Sequence, residues 1–371
     1  MTESSSKPDL LQESWVALLG RRDVPTDGVE DYCTFLGRAL ERRGIGLERV
    51  RVAWDERGWI QALKKLGHET AAWRGRWVLL QYTALSWSRR GFPFAALAVL
   101  NTLRHGGARV AVVFHEPQRQ GGTRKLDRVR GASQDWVIQQ LHGQAAKSIF
   151  TVPTDMVPWL SEGQTRAAFI PIGANIPERN GSRREPSLPD DEKTVIVFGV
   201  TGAPEAALEI ATIASTMRQA SHALRKVRLV VVGRGSSEAR EPLARALEKC
   251  NVDVEARGVL PAEQIVSEFE RADALLFVRG DINPRRGSAI AGIACGLPVV
   301  GYRDGRMSGP LMEAGIEWST ERDANALARG LIRVLSDPSR WLALHVRNLD
   351  VQKNHLSWSR IAEQYRAVLA G

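Results

Sequence analysis

Cysteine is scarce: Cys33, Cys250 and Cys295 are the three in 371 residues, odd in number, far apart and never in a C-x-x-C pair. That excludes a disulfide framework or a cysteine-built zinc site, and leaves three buried thiols as the expectation. Long hydrophobic runs are missing too. No stretch approaches the roughly 18 apolar residues that a membrane span needs, and the polar start MTESSSKPDLLQE lacks the basic-then-apolar order of a signal peptide. A cytoplasmic location is the expectation. There is no G-x-G-x-x-G, so no dinucleotide fingerprint is read, and no Asp-x-Asp pair stands ready to hold a metal ion.

What is present is an ordinary globular composition, 43% hydrophobic and 25% charged. The length points to two domains of about 180 residues each. The net charge of +9 is unevenly placed: residues 1–177 hold 24 Lys and Arg against 17 Asp and Glu, and the remainder holds 27 against 25. A basic first half suits an anionic partner, such as a membrane surface or a lipid-phosphate acceptor, or serves solubility alone. Nucleic acid is set aside, because no recognised binding module accompanies the arginines.

Strand and helix patterns alternate along the chain. Apolar runs at Trp15 to Leu19, Val50 to Ala53, Trp77 to Gln81, Arg109 to Phe114, Ser148 to Val152 and Ala167 to Pro171 read as strands, with a short helix expected from Thr154 to Leu160. Residues 178–193 are rich in Pro, Gly, Ser and charge, as a linker should be. Beyond it, strands at Thr194 to Phe198, Arg228 to Val232, Val252 to Glu255 and Ala274 to Val278 alternate with helices at Glu205 to Gln219, Ser237 to Lys249 and Pro261 to Arg271. The fold class is therefore α/β, with parallel sheets buried on both faces.

The stretch Asp281 to Tyr302, DINPRRGSAIAGIACGLPVVGY, joins a polar loop, a small-residue helix, a Gly stop and a buried strand. A helix starting at Gly287-Ser288 would present free N–H groups and the positive end of its dipole beside Arg285 and Arg286. Two guanidinium groups and a hydroxyl at such a point suit a diphosphate; a solvated basic turn before a packing helix is the alternative. Ala294-Cys295-Gly296-Leu297-Pro298-Val299-Val300 resembles the donor-binding segment of retaining GT-B glycosyltransferases of the group-4 family, and the order of elements is similar over essentially the whole chain.

That resemblance implies two Rossmann-like domains facing across a cleft: residues 1–177 binding the acceptor, 194–352 binding a nucleotide-diphosphate sugar, and 353–371 a helix crossing back to the first domain. It implies donor contacts at Gly199, Gly202, Arg234, Val259, Leu260, Arg285, Arg286, Gly287 and Ser288. His115, at the end of a strand, falls where the family places a His near the reacting sugar. Gly28 and Trp87 are the expected acceptor contacts, Trp87 because its Ser-Trp-Ser-Arg-Arg setting reads as an exposed loop. Two glutamates usual in the family fall on Asn283 and Ala291, so Asn283 alone is left to meet sugar hydroxyls. The implied reaction retains anomeric configuration and needs neither cofactor nor metal. Partners would be the nucleotide sugar and a glycan, lipid-linked or small-molecule acceptor, with peripheral contact at the inner membrane face through the basic first domain. The alternative is a catalytically silent relative that binds a nucleotide or a partner enzyme, for which the two missing glutamates argue.

Overall fold

The structure, a computed structural model, describes residues 13–24, 27–122, 124–161, 163–178, 184–187, 191–202, 205–303, 305 and 307–370. They form two compact units. One runs to Ile172 and takes in the stretch from Trp358 onward; the other runs from Gly173 to Ser357.

The first unit is built from β1 (Glu13–Leu19), α1 (Gly28–Glu41), β2 (Ile45–Arg51), α2 (Trp54–Arg57), α3 (Trp59–Glu69), β3 (Trp77–Tyr82), α4 (Ala95–His105), β4 (Arg109–Phe114), α5 (Lys125–Gln144), β5 (Lys147–Phe150) and β6 (Ala167–Phe169). All its strand pairs are parallel, in the order β2-β1-β3-β4-β5-β6. Successive strand residues point to opposite faces. Val16, Leu18, Leu80 and Val112 accordingly join one apolar layer with Leu66 and Leu100, while Trp15, Ala17, Leu79 and Val113 join the other with Leu36 and Leu40. Two expectations are corrected. β2 starts at Ile45 rather than near Val50, because an edge strand tolerates the exposed Glu48 and Arg49 that hid it. The helix expected over 154–160 is a single tight turn, Thr154–Met156.

The second unit comprises β7 (Lys193–Phe198), α6 (Ala206–Ala223), β8 (Val227–Val232), α7 (Ser236–Leu247), β9 (Val252–Gly258), α8 (Ala262–Arg271), β10 (Ala274–Ile282), α9 (Gly287–Ala294), β11 (Val299–Arg303), β12 (Ile316–Ser319), α10 (Ala324–Ser336) and α11 (Pro338–Val351). Its sheet is also parallel, ordered β12-β11-β10-β7-β8-β9. Pro261 caps α8 from outside instead of opening it, and β10 runs four residues past the apolar stretch that marks it in the sequence. Gly296 ends the α9 segment at φ +70°, where a Cβ would meet the His345 ring.

The last helix, α12 (Trp358–Ala370), belongs to the first unit and packs on α1. The Tyr32 and Tyr365 hydroxyls are 2.8 Å apart, Trp358 lies over Phe35 and edge-on to Tyr32, and Trp77 Nε1 donates to the Leu369 carbonyl.

Candidate functional site

In open α/β sheets ligands sit beyond the carboxyl ends of the strands, where the strand order reverses. In the second sheet that point lies between β7 and β10. Gly199 leaves β7 at φ +84°, and a Cβ there would stand 3.0 Å from Arg279 Nη1. Glycine thus supplies the backbone turn and the room for a guanidinium.

Arg279 comes from an irregularity in β10. Phe277 pairs with Gly301 and the next pair is Asp281 with Tyr302, so Val278, Arg279 and Gly280 have no residue opposite; Gly280 takes φ +74°. Such a bulge re-aims a side chain that a regular strand would bury. Arg279 Nε donates to Thr201 Oγ1 at 3.3 Å. Thr201 is itself held by Glu209 of α6, its N–H donating to Oε2 at 2.8 Å and its hydroxyl to Oε1 at 2.6 Å.

Arg286 completes the cluster. Its Cζ lies 6.0 Å from the Phe277 ring centre, and its Nε is buried without a hydrogen-bond partner among the described residues. Burial, followed by the nearby charges of Arg279 and Arg285, holds its pKa below the ordinary arginine value, opposed by Asp281 and Glu209. Asp281 is also paired with Arg322, and Glu209 is engaged by Thr201. The surplus is cationic, and an incoming anion would relieve it.

Asn283 shapes this turn rather than facing outward: its Oδ1 accepts from the Arg285 amide at 3.0 Å, and its carbonyl accepts from the Arg286 amide at 2.9 Å. Arg285 and Gly287 are exposed and Ser288 is half-buried. The expected fan of free helix N–H groups is smaller than the sequence suggests. The amides of Gly287, Ala289 and Ile290 already pair with the carbonyls of Arg285 and Arg286, which leaves the Ser288 amide as the one without an acceptor among the described residues. Ala291 is buried.

Of the other donor positions, Arg234 is joined to this cluster through its backbone, since the Val200 N–H donates to its carbonyl at 2.9 Å; its side chain and Gly202 are exposed. Val259 and Leu260 follow β9, two strands from β7, and the Gly258 carbonyl accepts from the Gly233 amide at 2.7 Å. The residues missed in the sequence are Arg279, Thr201 and Glu209. Arg279 had one signal, an arginine followed by glycine at the end of an otherwise apolar strand.

In the first unit, His115 stands at the end of β4. Its Nε2 lies 2.8 Å from Gln81 Oε1, while Gln81 Nε2 donates to the Leu79 carbonyl. Gln81 Oε1 is therefore the acceptor, His115 carries its proton on Nε2, and Nδ1 keeps a lone pair. Burial pushes its pKa down to about 4, with Asp27 opposing, so the ring is neutral near pH 7. Tyr32 of α1 meets it edge-on at 5.1 Å. Gly28 is the exposed first residue of α1, next to Asp27, whose Oδ1 accepts from the Val29 and Glu30 amides. Trp87 does not fit its expected role. It is fully buried and its Nε1 donates to the Gln81 carbonyl at 2.9 Å, so it has no face left to stack on an acceptor. Among the described residues no cluster of three or more His, Cys, Asp or Glu could hold a metal ion.

Residues 192–337 match the family described as "Glycosyl transferases group 1". The matched region runs from β7 through α10 and contains the whole arginine cluster. By sequence, no curated protein matches the chain. Among solved structures, a sucrose-phosphate synthase from Thermosynechococcus elongatus superposes with a TM-score of 0.67 at 19% identity, covering 97% of this chain and 100% of its own. A glycosyltransferase from Rickettsia africae gives 0.66 at 12% identity, covering 96% and 98%. Anabaena HepE, solved in complex with UDP and glucose, gives 0.63 at 11% identity, covering 96% and 99%. Two parallel six-stranded sheets with flanking helices make this the fold of GT-B glycosyltransferases.

Proposed function

We propose that the protein transfers a sugar from a nucleotide-diphosphate sugar to an acceptor, with retention of configuration and without a metal ion. The observation that carries this reading is Arg279 at the glycine-lined end of β7 with Arg286 beside it, the latter's buried Nε having no hydrogen-bond partner among the described residues. When a glycosyl bond to a diphosphate breaks, negative charge grows on the departing phosphate. Fixed guanidinium groups stabilise that charge without reorganising, which is where most catalytic benefit of such sites arises. Arg285, the Ser288 amide and hydroxyl, and Gly199 and Gly202 complete the phosphate contacts, with Arg234 beside them. Val259 and Leu260 border the base. The Anabaena neighbour's complex with UDP and glucose supports the choice of donor class.

His115, neutral at working pH, offers Nδ1 to a sugar hydroxyl, and Gly28 admits the acceptor close to the backbone of α1. Retention rests on the likeness of the 281–302 segment to retaining enzymes. A second reading, a catalytically silent relative that still binds a nucleotide, is favoured by one observation: Asn283 spends its side-chain oxygen on the Arg285 amide, and Ala291 is buried and apolar.

Thermal unfolding against a panel of nucleoside diphosphates and nucleotide sugars tests both. A ligand at about 100 times its dissociation constant adds roughly 2.7 kcal/mol of stability. A response to one base, followed by turnover of the corresponding sugar with a panel of acceptors, is the expected result. A response without turnover on any acceptor selects the silent relative, and no response to any member overturns the donor site.

A further inference from the structure

Helix α5 is apolar on two sides. Val137, Ile138 and Leu141 are buried against the first unit's core, as a helix covering a sheet requires. The side turned away from the sheet nevertheless carries Val129 and Trp136, 61% and 50% exposed, two turns apart on one ridge with Ala132 between them, and Leu126 beside them at 63%. Phe94, just before α4 and 51% exposed, brings its ring to 6.0 Å from that of Trp136. Single exposed apolar side chains are common, but a row of large ones joined across two elements marks an interaction surface.

The chemistry around the row selects the partner. Arg124, Lys125 and Arg128 surround the start of α5, and all are exposed. The turn holding the exposed Arg89 and Arg90 is fastened to the same helix, because Gln134 Nε2 donates to the Gly91 carbonyl at 2.9 Å. The nearby acids are engaged locally: Asp127 accepts from the Arg124 amide and pairs with Arg130, and Asp135 pairs with Arg119 at 3.4 Å. Residues 51–150, which include this face, hold 16 Lys and Arg against 6 Asp and Glu. A second copy of the same face would bring cations against cations in a two-fold contact. Aromatic and aliphatic side chains bordered by arginines fit a bilayer surface, where rings settle among the headgroups and each basic residue gains about 1 kcal/mol near anionic lipid.

We propose that this face of the first unit, Phe94, Leu126, Val129 and Trp136 with Arg89, Arg90 and Arg128, rests on an anionic phospholipid bilayer. The test is sedimentation of the full chain with vesicles of phosphatidylcholine alone and of phosphatidylcholine mixed with phosphatidylglycerol. Binding to the mixed vesicles, weakened by salt, is expected. Leu126→Ser with Trp136→Ser, both at exposed sites and checked for an unchanged melting curve, should lower partitioning at least about tenfold. Arg89→Glu, Arg90→Glu and Arg128→Glu together should abolish the preference for phosphatidylglycerol. Quenching by brominated phospholipid, measured on the native chain and on Trp136→Phe, should differ by the contribution of that one indole. Absence of binding to the mixed vesicles, or binding that both substituted forms retain in full, overturns the proposal. So does a dimer in sedimentation equilibrium that Leu126→Ser with Trp136→Ser dissolves, which would hand the face to a second copy.

Discussion

Gly20 and Gly199 occupy corresponding places: each follows the first strand of its sheet, where the strand order reverses. What fills the space beside them differs. A Cβ on Gly20 would overlap the Ser86 main-chain carbonyl, which already accepts from the Arg21 amide at 2.8 Å and from Trp54 Nε1 at 2.9 Å. The chain after β3 folds back there, buries Trp87 and fills the crevice with packing. At Gly199 the neighbour is the tip of an arginine, and the crevice is lined with charge. The balance of charge differs as well. Arg51 lies between Asp27 and Glu30 and donates to the Gly20 carbonyl at 2.7 Å, whereas Arg279, Arg285 and Arg286 outnumber the acids near them. Topology sets where a ligand can go, and the residues just past the strands decide whether one is invited.

Removing the charge should have the largest effect. Arg279→Ala with Arg286→Ala is expected to weaken nucleoside-diphosphate binding by about 2–5 kcal/mol, the usual result of truncating partners of a desolvated charge, read by calorimetry on a variant with an unchanged melting curve. Arg51→Ala, its counterpart in the first unit, should leave that affinity unchanged; an equal loss would erase the contrast.

Next comes acid. His115 has a folded pKa of about 4, below its unfolded value near 6.5, so the unfolded chain takes up the proton first as pH falls. Its contribution is complete above pH 6.5 and lost as pH falls through 4, about 3 kcal/mol in all at 1.36 kcal/mol per unit. In denaturant melts between pH 7 and 4 the native chain should lose about that much stability relative to His115→Gln. Parallel curves would mean that the ring is not held neutral.

The smallest effects come from the two glycines. Gly20→Ala should cost about 1–3 kcal/mol of stability through overpacking and leave nucleotide affinity alone. Gly199→Ala should cost about 1–2 kcal/mol through its positive φ and also weaken the ligand, since its new methyl displaces Arg279. A pair of variants that behave alike would show that the two crevices serve one purpose.

The order of strands and helices could be read directly from the apolar runs, because strands buried on both faces and glycines that stop helices leave plain marks, as at Gly44, Gly296 and β7. Edge strands left weaker ones: β2 carries charge outward and looked shorter than it is. Within the site, Arg286 and Ser288 were legible because loop composition and a helix start coincide. Arg279 was not, since a strand pattern assigns its residue to the sheet and only a bulge, which no periodicity reveals, turns it out. Trp87 misled for the opposite reason. Its polar neighbours describe the path of the backbone, while the indole turns inward to reach the Gln81 carbonyl.

The interruption between Phe277 and Asp281 also separates two kinds of rigidity. Backbone amides in a continuous ladder exchange with solvent only when the sheet opens, whereas those released from it exchange through small local openings. Exchange at Arg279 and Gly280 is therefore expected to run faster than at Leu275 and Leu276, which are locked to Val299 and Val300, while Val278 keeps its side chain in the core. Deuterium uptake at Arg279 and Gly280, slowed when nucleotide is bound, with Leu275 and Leu276 protected throughout, would be the record of that difference.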